Sequence, residues 1–203
     1  MIKTLIFDFG DVFINLDKEG AMQNILDLLH IESLAPDMVT VNLKYEKGLI
    51  STKDFLGFYL LRFPTLKEKD VLRAWNYILK DFPPYRLDFI KQLSESNQYQ
   101  LILLSNTNSL HIQWIKDHIT FYEEFKSCFD RFYLSHEINM RKPDAEIFKY
   151  ICSDLNLVPN ECLFIDDTTE NTDSASELGF NTWNIDEKNE DVVDLFSIKA
   201  DLF

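Results

Sequence analysis

The chain has 203 residues, 46% of them hydrophobic and 14% aromatic, enough for a globular protein with a buried core and one domain with an insert. Its formal net charge of −14 argues against nucleic acid and anionic membranes as general partners, because both repel an acidic surface. No apolar segment is long enough to span a bilayer, and the first predicted strand leaves no room for a signal peptide, so we expect a cytoplasmic protein.

The first predicted element is a strand over residues 2–8. Its apolar run, Leu5 to Phe7, is typical of a strand that is buried on both faces. The run stops at Asp8, which therefore lies at the strand's carboxyl end. Open α/β sheets bind their ligands at this edge.

The next block, from about Asp17 to Leu79, is helical throughout. Apolar residues recur at helical spacing, and Ser51 to Asp54 resembles a capping box with Asp in place of Glu. Pro64 is expected to end that helix. This pattern predicts a helical insert at residues 15–83, with residues 1–14 and 84–203 forming the main domain.

After the insert, predicted strands alternate with helices. The strands fall at 101–104, 129–134, 162–165 and 180–185. This alternation predicts a parallel sheet with helices on both faces. Because the carboxyl ends of parallel strands share one edge, the side chains of Asp8, Ser105 and Asp166-Asp167 are expected to converge.

Several converging carboxylates repel one another, and the usual remedy is a hard cation with oxygen ligands, most often Mg²⁺. A metal bound partly by protein and partly by substrate oxygens suggests phosphoryl chemistry. Ser105 can hydrogen-bond a phosphate oxygen, and Lys142 can supply positive charge. Asp8 is then either a metal ligand alone or a ligand and the nucleophile.

At this point the sequence resembles the haloacid dehalogenase (HAD) superfamily over essentially its whole length. The four signatures of that superfamily occur in order: Phe7-Asp8-Phe9-Gly10-Asp11-Val12, Leu104-Ser105-Asn106, Lys142-Pro143 and Ile165-Asp166-Asp167. The resemblance implies a Rossmann-like α/β core, with the insert as a helical cap. The residues around the last three signatures are more closely similar to bacterial HAD phosphatases that act on sugar 1-phosphates such as glucose 1-phosphate.

The resemblance also implies a role for each signature residue. Asp8 attacks phosphorus and forms an aspartyl-phosphate that water hydrolyses. Ser105 and the backbone of Asn106 bind the phosphoryl oxygens, and Lys142 neutralises negative charge. The implied Mg²⁺ ligands are Asp8, the carbonyl of Gly10 and the acids of the fourth signature, with Asp167 favoured as the direct ligand and Asp166 acting through water or from behind the ligands. Asn171, one helical turn beyond Asp167, is a further candidate for a hydrogen bond to the metal's surroundings.

One position departs from the superfamily pattern. Most of its phosphatases carry a second Asp two residues after the nucleophile as general acid and base, whereas this chain has Gly10 there. The neighbouring Asp11 is expected to serve a turn or a helix cap. We hypothesise that the substrate compensates, because an anomeric hydroxyl is more acidic than an ordinary alcohol and leaves with less help. This favours a sugar 1-phosphate over a 6-phosphate.

The sequence therefore predicts a Mg²⁺-dependent phosphatase for a small phosphorylated metabolite, as a monomer or homodimer, with neither nucleic acid nor membrane as partner. Two alternatives stay open. One is a haloacid-dehalogenase-type hydrolase, in which Asp8 attacks carbon without a metal. The other is a binding protein of the same fold that has lost catalysis, for which Gly10 is the only support.

Overall fold

A parallel five-stranded sheet forms the centre of the computed structural model, which describes all residues from 1 to 203. The strands are β1 (Thr4–Phe7), β2 (Gln100–Ser105), β3 (Arg131–Leu134), β4 (Cys162–Asp166) and β5 (Asn181–Asn184). Their order in the sheet is β3-β2-β1-β4-β5, and every neighbouring pair is parallel. The α/β class predicted from the sequence is confirmed.

Eleven α-helices surround or extend from this sheet. They are α1 (Lys18–Leu29), α2 (Pro36–Glu46), α3 (Thr52–Arg62), α4 (Glu68–Asn76), α5 (Pro84–Ser96), α6 (Ser109–His118), α7 (Tyr122–Ser127), α8 (Ser135–Ile138), α9 (Ala145–Leu155), α10 (Thr169–Glu177) and α11 (Leu195–Ile198). None of them combines the length and the apolar character that crossing a membrane requires.

Strand β1 is the central strand and pairs with β2 on one side and β4 on the other. Its residues Leu5, Ile6 and Phe7 are fully buried, because helices cover both faces of the sheet. Leu5 and Phe7 belong to one apolar cluster and Ile6 to another, as the alternation of side chains along a strand requires. The carboxyl ends of β1, β2 and β4 consequently lie next to one another.

Helices α1 to α4 share an apolar cluster of their own, separate from the two that flank the sheet. Its centre is aromatic, with the ring of Phe55 stacked on Tyr45 at 4.3 Å between centroids and edge-on to Trp75 at 4.6 Å. The capping box predicted at the start of α3 is present, since Ser51 accepts from the Asp54 amide and Asp54 accepts from the Ser51 amide. Whether this block moves as a separate cap over residues 15–83 stays a prediction.

The C-terminal end of α2 is docked onto the segment that follows β3. The carbonyl of Glu46 accepts a hydrogen bond from the Ser135 hydroxyl at 2.7 Å, and the carbonyl of Lys47 accepts one from the side-chain amide of Asn139 at 2.8 Å. Gly48 follows with φ +65°, and a Cβ built there would lie 2.0 Å from the carbonyl oxygen of His136. Backbone contact this close leaves room only for glycine.

A buried arginine ties three distant parts of the chain together. Arg86, on α5, donates to the carbonyl of Phe13 at 3.3 Å and to the side chain of Asn15 at 2.9 Å. Its remaining guanidinium nitrogens donate to Asp191, the closest contact being 2.9 Å. Arg86 therefore links the turn that follows β1 to Asp191 near the C-terminus.

Several boundaries differ from the predictions. Strand β1 covers Thr4 to Phe7 instead of residues 2–8, and β5 covers Asn181 to Asn184 instead of 180–185. The short helices α7 and α8 were not predicted, because four to six residues carry too little periodicity to register. The C-terminal segment after β5 is a series of short 3₁₀ and α turns.

Gly48→Ala is expected to lower the free energy of unfolding by at least about 1–2 kcal/mol, because the new Cβ meets the His136 carbonyl and the left-handed φ is unfavourable for alanine. In a chain of this length that corresponds to roughly 2–8 °C in melting temperature. The matched control is Gly57→Ala inside α3, where a Cβ meets nothing within 4 Å and a gain of about 0.5–1 kcal/mol is expected. Equal melting temperatures for the two variants would contradict this account.

Candidate active site

Three carboxylates converge at the carboxyl ends of the two central strands. Asp8 directly follows β1, while Asp166 ends β4 and Asp167 follows it. Their ligand oxygens all lie within 4.8 Å of one another. The chain brings them together because β1 and β4 are adjacent and in register, with the Asp8 amide donating to the Ile165 carbonyl at 2.8 Å.

The ammonium group of Lys142 lies inside this cluster and is completely buried. It donates to Asp8 Oδ1 at 2.8 Å and to Asp166 Oδ2 at 2.5 Å. Burial lowers the pKa of Lys142, but the attraction of Asp166 and Asp8 outweighs it, and the net shift is upward. Lys142 is therefore a charged group at neutral pH that bridges two acids on neighbouring strands.

Asp166 has all of its oxygens occupied by the protein. Besides Lys142, it accepts hydrogen bonds from the Thr168 amide at 2.9 Å and from the side chain of Asn171 at 3.0 and 3.1 Å. Asn171, singled out in the sequence for the metal's surroundings, thus contacts a carboxylate of the cluster. A carboxylate with this many donors orients Lys142 and is a poor direct ligand, which agrees with assigning the indirect role to Asp166.

Asp167 faces a different cation, which sequence reasoning missed. Lys18, the first residue of α1, contacts Asp167 Oδ2 and lies 2.9 Å from Asp11 Oδ2. Burial raises the pKa of Asp167 in spite of this contact. Lys18 carried no signal in the sequence, because a lysine at a helix start looks like an ordinary surface residue; only the fold places it against the cluster.

Asp11 forms the turn after β1. Its backbone has φ +53°, and its Oδ1 accepts a hydrogen bond from the Leu16 amide at 2.8 Å. Aspartate tolerates this left-handed conformation better than most residues. The turn role expected from the sequence fits these contacts. At Gly10, an added Cβ would lie 2.6 Å from Leu16 Cδ1, so any larger residue there requires Leu16 to move.

The acid cluster fits a divalent cation. Burial raises the pKa of Asp8 to about 7, opposed by Lys142 and reinforced by Asp166 and Asp167. A carboxylate that is so reluctant to ionise gains from an added positive charge, and carboxylate oxygens are the ligands that Mg²⁺ prefers. Asp8 and Asp167 offer the carboxylate oxygens that would hold such an ion.

A set of unpaired hydrogen-bond donors adjoins the acids. The amide groups of Phe9, Gly10 and Asn106 donate to no acceptor in the protein. The hydroxyl of Ser105, whose residue is only 3% exposed, also lacks a partner. A group of such donors beside a metal-binding cluster is suited to an oxyanion.

The side chain of Asn106 has a role that sequence reasoning missed. Its Nδ2 donates to the Lys142 carbonyl at 2.8 Å, and its Oδ1 accepts from the Lys142 amide at 2.9 Å. Both ends of the amide are thus used to hold the backbone of Lys142. Asn106 is therefore expected to contribute only its backbone to a bound anion, while its side chain positions the lysine.

A cavity of about 160 Å³ opens beside these donors, between the sheet edge and the helical block. Its lining residues are Phe9, Gly10, Ile14, Leu16, Glu46, Ile78, Leu79, Ser105, Asn106, Thr107, His111 and Ile115. Both ring nitrogens of His111 have partners, namely the Trp75 carbonyl at 3.2 Å and the Asn108 side chain at 3.2 Å. Burial lowers the pKa of His111 to about 4, so this residue is neutral.

Comparison with known proteins gives a consistent result. The haloacid dehalogenase-like hydrolase family matches residues 2–179. A D-ribitol-5-phosphate phosphatase of Bacteroides thetaiotaomicron is 32% identical over 205 aligned positions, which cover 90% of this chain and 91% of that protein.

Solved structures agree over nearly the whole chain. A HAD family enzyme from Bacteroides thetaiotaomicron, crystallised with magnesium and inorganic phosphate, is 36% identical, covers 97% of this chain and 100% of its own, and superposes with a TM-score of 0.83. A HAD-like hydrolase from Porphyromonas gingivalis is 28% identical with the same TM-score, at 98% and 97% coverage.

Asp8→Asn is expected to stabilise the metal-free protein at pH 8. The pKa of Asp8 rises from 3.8 to about 7 on folding, so between these two pH values the folded state holds a proton that the unfolded chain has lost. Stability from this group falls as the pH rises from about 4 to 7, and the full penalty, roughly 1–4 kcal/mol, acts above pH 7. The variant's advantage in melting temperature, measured with a chelator present, should grow over that range.

The exposed Asp173→Asn on α10 is the control and should show no comparable trend. An Asp8→Asn variant that is less stable than the wild type at pH 8 would show that the Lys142 contact, and not burial, dominates at Asp8.

Proposed function

This chain belongs to the haloacid dehalogenase-like hydrolase family, and from that premise we propose that it is a Mg²⁺-dependent phosphatase that hydrolyses small sugar or sugar-alcohol phosphates. The observation that carries the proposal is the position of Asp8. It sits between the bridging ammonium of Lys142 and a set of unpaired donors suited to phosphoryl oxygens. The 32% identical D-ribitol-5-phosphate phosphatase supports the same class of substrate.

In the proposed mechanism, the Ser105 hydroxyl and the free amides of Phe9, Gly10 and Asn106 hold the phosphoryl oxygens. A carboxylate oxygen of Asp8 attacks phosphorus, the bond to the leaving oxygen breaks, and that oxygen takes a proton. Water then attacks the aspartyl-phosphate, which releases inorganic phosphate and restores the carboxylate. Lys142 stabilises the negative charge that accumulates on Asp8 and the phosphoryl group throughout.

Magnesium, when bound, supplies the Lewis-acid charge that draws a phosphate dianion into so acidic a site. We assign its ligands to Asp8, Asp167 and the carbonyl of Gly10, with Asp166 acting through Lys142 and Asn171. The contacts of Asp166 support this division, because its oxygens already accept from protein donors. Asp167 keeps an oxygen that no protein group occupies.

Protonation of the leaving group remains the step with no dedicated residue. Asp11 is engaged by Leu16 and Lys18, and both nitrogens of His111 are used. This favours a leaving oxygen that departs with little help, such as the anomeric oxygen of glucose 1-phosphate. The sugar-alcohol phosphate of the relative has an ordinary alcohol as its leaving group, so the two substrates differ in the chemistry they require.

The helical block is assigned the role of a cap. Glu46, at the end of α2, and Ile78, just after α4, line the cavity, which is smaller than the 300–1,000 Å³ typical of drug-sized sites. A small, covered site favours a small metabolite over a protein substrate. The dehalogenase alternative needs no metal and leaves the cluster of Asp8, Asp166 and Asp167 unexplained.

Purified protein is expected to release phosphate from p-nitrophenyl phosphate only when Mg²⁺ is present. Asp8→Asn should lower kcat by at least about 10³-fold, because an amide cannot act as the nucleophile. Release of p-nitrophenol measures the dependence on Mg²⁺ and the kcat of the variant. Wild-type turnover by Asp8→Asn would rule out the proposed mechanism, and turnover without metal would rule out the proposed Mg²⁺ dependence.

Asp11→Asn tests the turn assignment and serves as a matched control for Asp8→Asn. Asparagine tolerates φ +53° and still accepts from the Leu16 amide, so kcat should fall less than about tenfold. A loss of about 10²–10⁴-fold, the range of general acid–base catalysis, would show that Asp11 protonates the leaving group.

A substrate panel tests the leaving-group argument. With Mg²⁺ present, glucose 1-phosphate is expected to have a higher kcat than glucose 6-phosphate, because the two share a sugar and differ in the acidity of the leaving oxygen. D-ribitol 5-phosphate belongs in the same panel. Much faster turnover of the 6-phosphate would show that the protein supplies a proton donor after all.

A further inference from the structure

We propose that Glu46 is the residue that selects the leaving group, and that it favours a neutral, polyhydroxylated one over an anionic one; this inference rests on the proposed phosphatase function. Glu46 lines the 160 Å³ cavity from the helical block, opposite the sheet edge that carries Ser105. With His111 held neutral by burial, Glu46 is the only lining residue that carries a charge at neutral pH.

The backbone of Glu46 is fixed relative to the acid cluster. It is the last residue of α2, and its carbonyl accepts from Ser135 at 2.7 Å in the segment just after β3. The same Ser135 hydroxyl lies 2.8 Å from the Thr107 carbonyl oxygen, so its one proton is shared between the two carbonyls, and it accepts from the Thr107 amide at 2.9 Å. Two hydrogen-bonded steps therefore connect Glu46 with the loop that follows Ser105.

The carboxylate of Glu46 is held at one oxygen only. Arg141 donates to Oε1 at 2.7 Å, while Oε2 accepts no hydrogen bond from the protein. Arg141 lines a separate groove together with Lys47 and Asp144, and it is not part of the cavity wall. One side of the carboxylate thus faces a protein cation, which orients it, and the other side is left for a ligand.

The rest of the wall indicates what that ligand is. Six of the twelve lining residues are apolar: Phe9, Ile14, Leu16, Ile78, Leu79 and Ile115. A carboxylate accepts hydrogen bonds and donates none when ionised, so it is complementary to hydroxyl groups. A polyol or sugar offers hydroxyls to Glu46 and C–H surface to the apolar wall, whereas a leaving group with a carboxylate of its own is repelled.

The test measures kcat/KM with Mg²⁺ for D-ribitol 5-phosphate, p-nitrophenyl phosphate, phosphoglycolate and phosphoethanolamine. Glu46→Ala should lower kcat/KM for ribitol 5-phosphate by about 10–100-fold, the range expected for a hydrogen bond to a charged group. Its kcat/KM for p-nitrophenyl phosphate should fall less than about threefold, because that leaving group has no hydroxyl for Glu46 to bind. Glu46→Gln keeps one acceptor, so it should lose less on ribitol 5-phosphate and gain at least about tenfold on phosphoglycolate.

Lys47→Met is the matched control. It removes the neighbouring ion pair between Lys47 and Asp144, at 2.6 Å, without changing a residue of the cavity wall. The ratio of the kcat/KM values for the different substrates should therefore stay unchanged. Equal losses on ribitol 5-phosphate and p-nitrophenyl phosphate in both Glu46 variants would overturn the inference, since Glu46 would then only hold the helical block in place. Preference of the wild type for phosphoethanolamine would overturn it in favour of a cationic leaving group.

These measurements distinguish a failure of the proposed phosphatase function from a failure of the role of Glu46. If the wild type hydrolyses none of the four esters, the proposed phosphatase function is wrong. If it hydrolyses p-nitrophenyl phosphate and the Glu46 variants leave the substrate ratios unchanged, only the role of Glu46 is wrong. Melting curves of each variant identify any loss that comes from unfolding, and the milder Glu46→Gln preserves the test if Glu46→Ala does not fold.

Discussion

The bridge from Lys142 to Asp8 and Asp166 is the interaction on which the rest of the site depends. An ammonium group with no solvent exposure is tolerated only when acids compensate its charge, and here two acids do so at 2.8 and 2.5 Å. The acids come from β1 and β4, and the lysine comes from the segment between β3 and α9. Removing the lysine would leave Asp166 buried without a counter-charge, which typically costs about 3–5 kcal/mol, so Lys142 also fixes how these elements meet.

Asn106 extends this bridge to the strand on the other side of β1. Because its side chain holds both backbone polar groups of Lys142, the phosphoryl-binding end of β2 and the lysine are positioned as one unit. Three carboxylates face only two lysines in this cluster, Lys142 and Lys18, and this imbalance adds to the effect of burial in raising the pKa of Asp8. The same excess of negative charge favours the binding of a divalent cation. The repulsion among the carboxylates and the capacity to bind a catalytic metal therefore have one origin.

The sheet and the convergence of Asp8, Ser105 and the Asp166-Asp167 pair could be predicted, because each feature depends on local pattern: apolar runs, the polar residue that ends each run, and the rule that parallel strands share an edge. Lys142 ends no strand, and its place in the site is implied by the resemblance to the superfamily. The contacts made by Lys18, Glu46 and the side chain of Asn106 could not. Each of them pairs with residues far away in the chain, at separations of 149, 95 and 36 positions. No periodicity records such a contact, and the left-handed backbone of Asp11 likewise depends on its surroundings.

The buried Arg86 shows that the family's sequence boundary is not a physical boundary. The match to the family ends at residue 179, yet β5 and Asp191 lie beyond it. A fragment trimmed to the matched region would leave β4 as an unprotected edge and Arg86 as a buried cation without its acid, beneath the turn that carries Gly10. The last two dozen residues, which carry no signature, thus belong to the folding unit of the hydrolase as much as the signatures do.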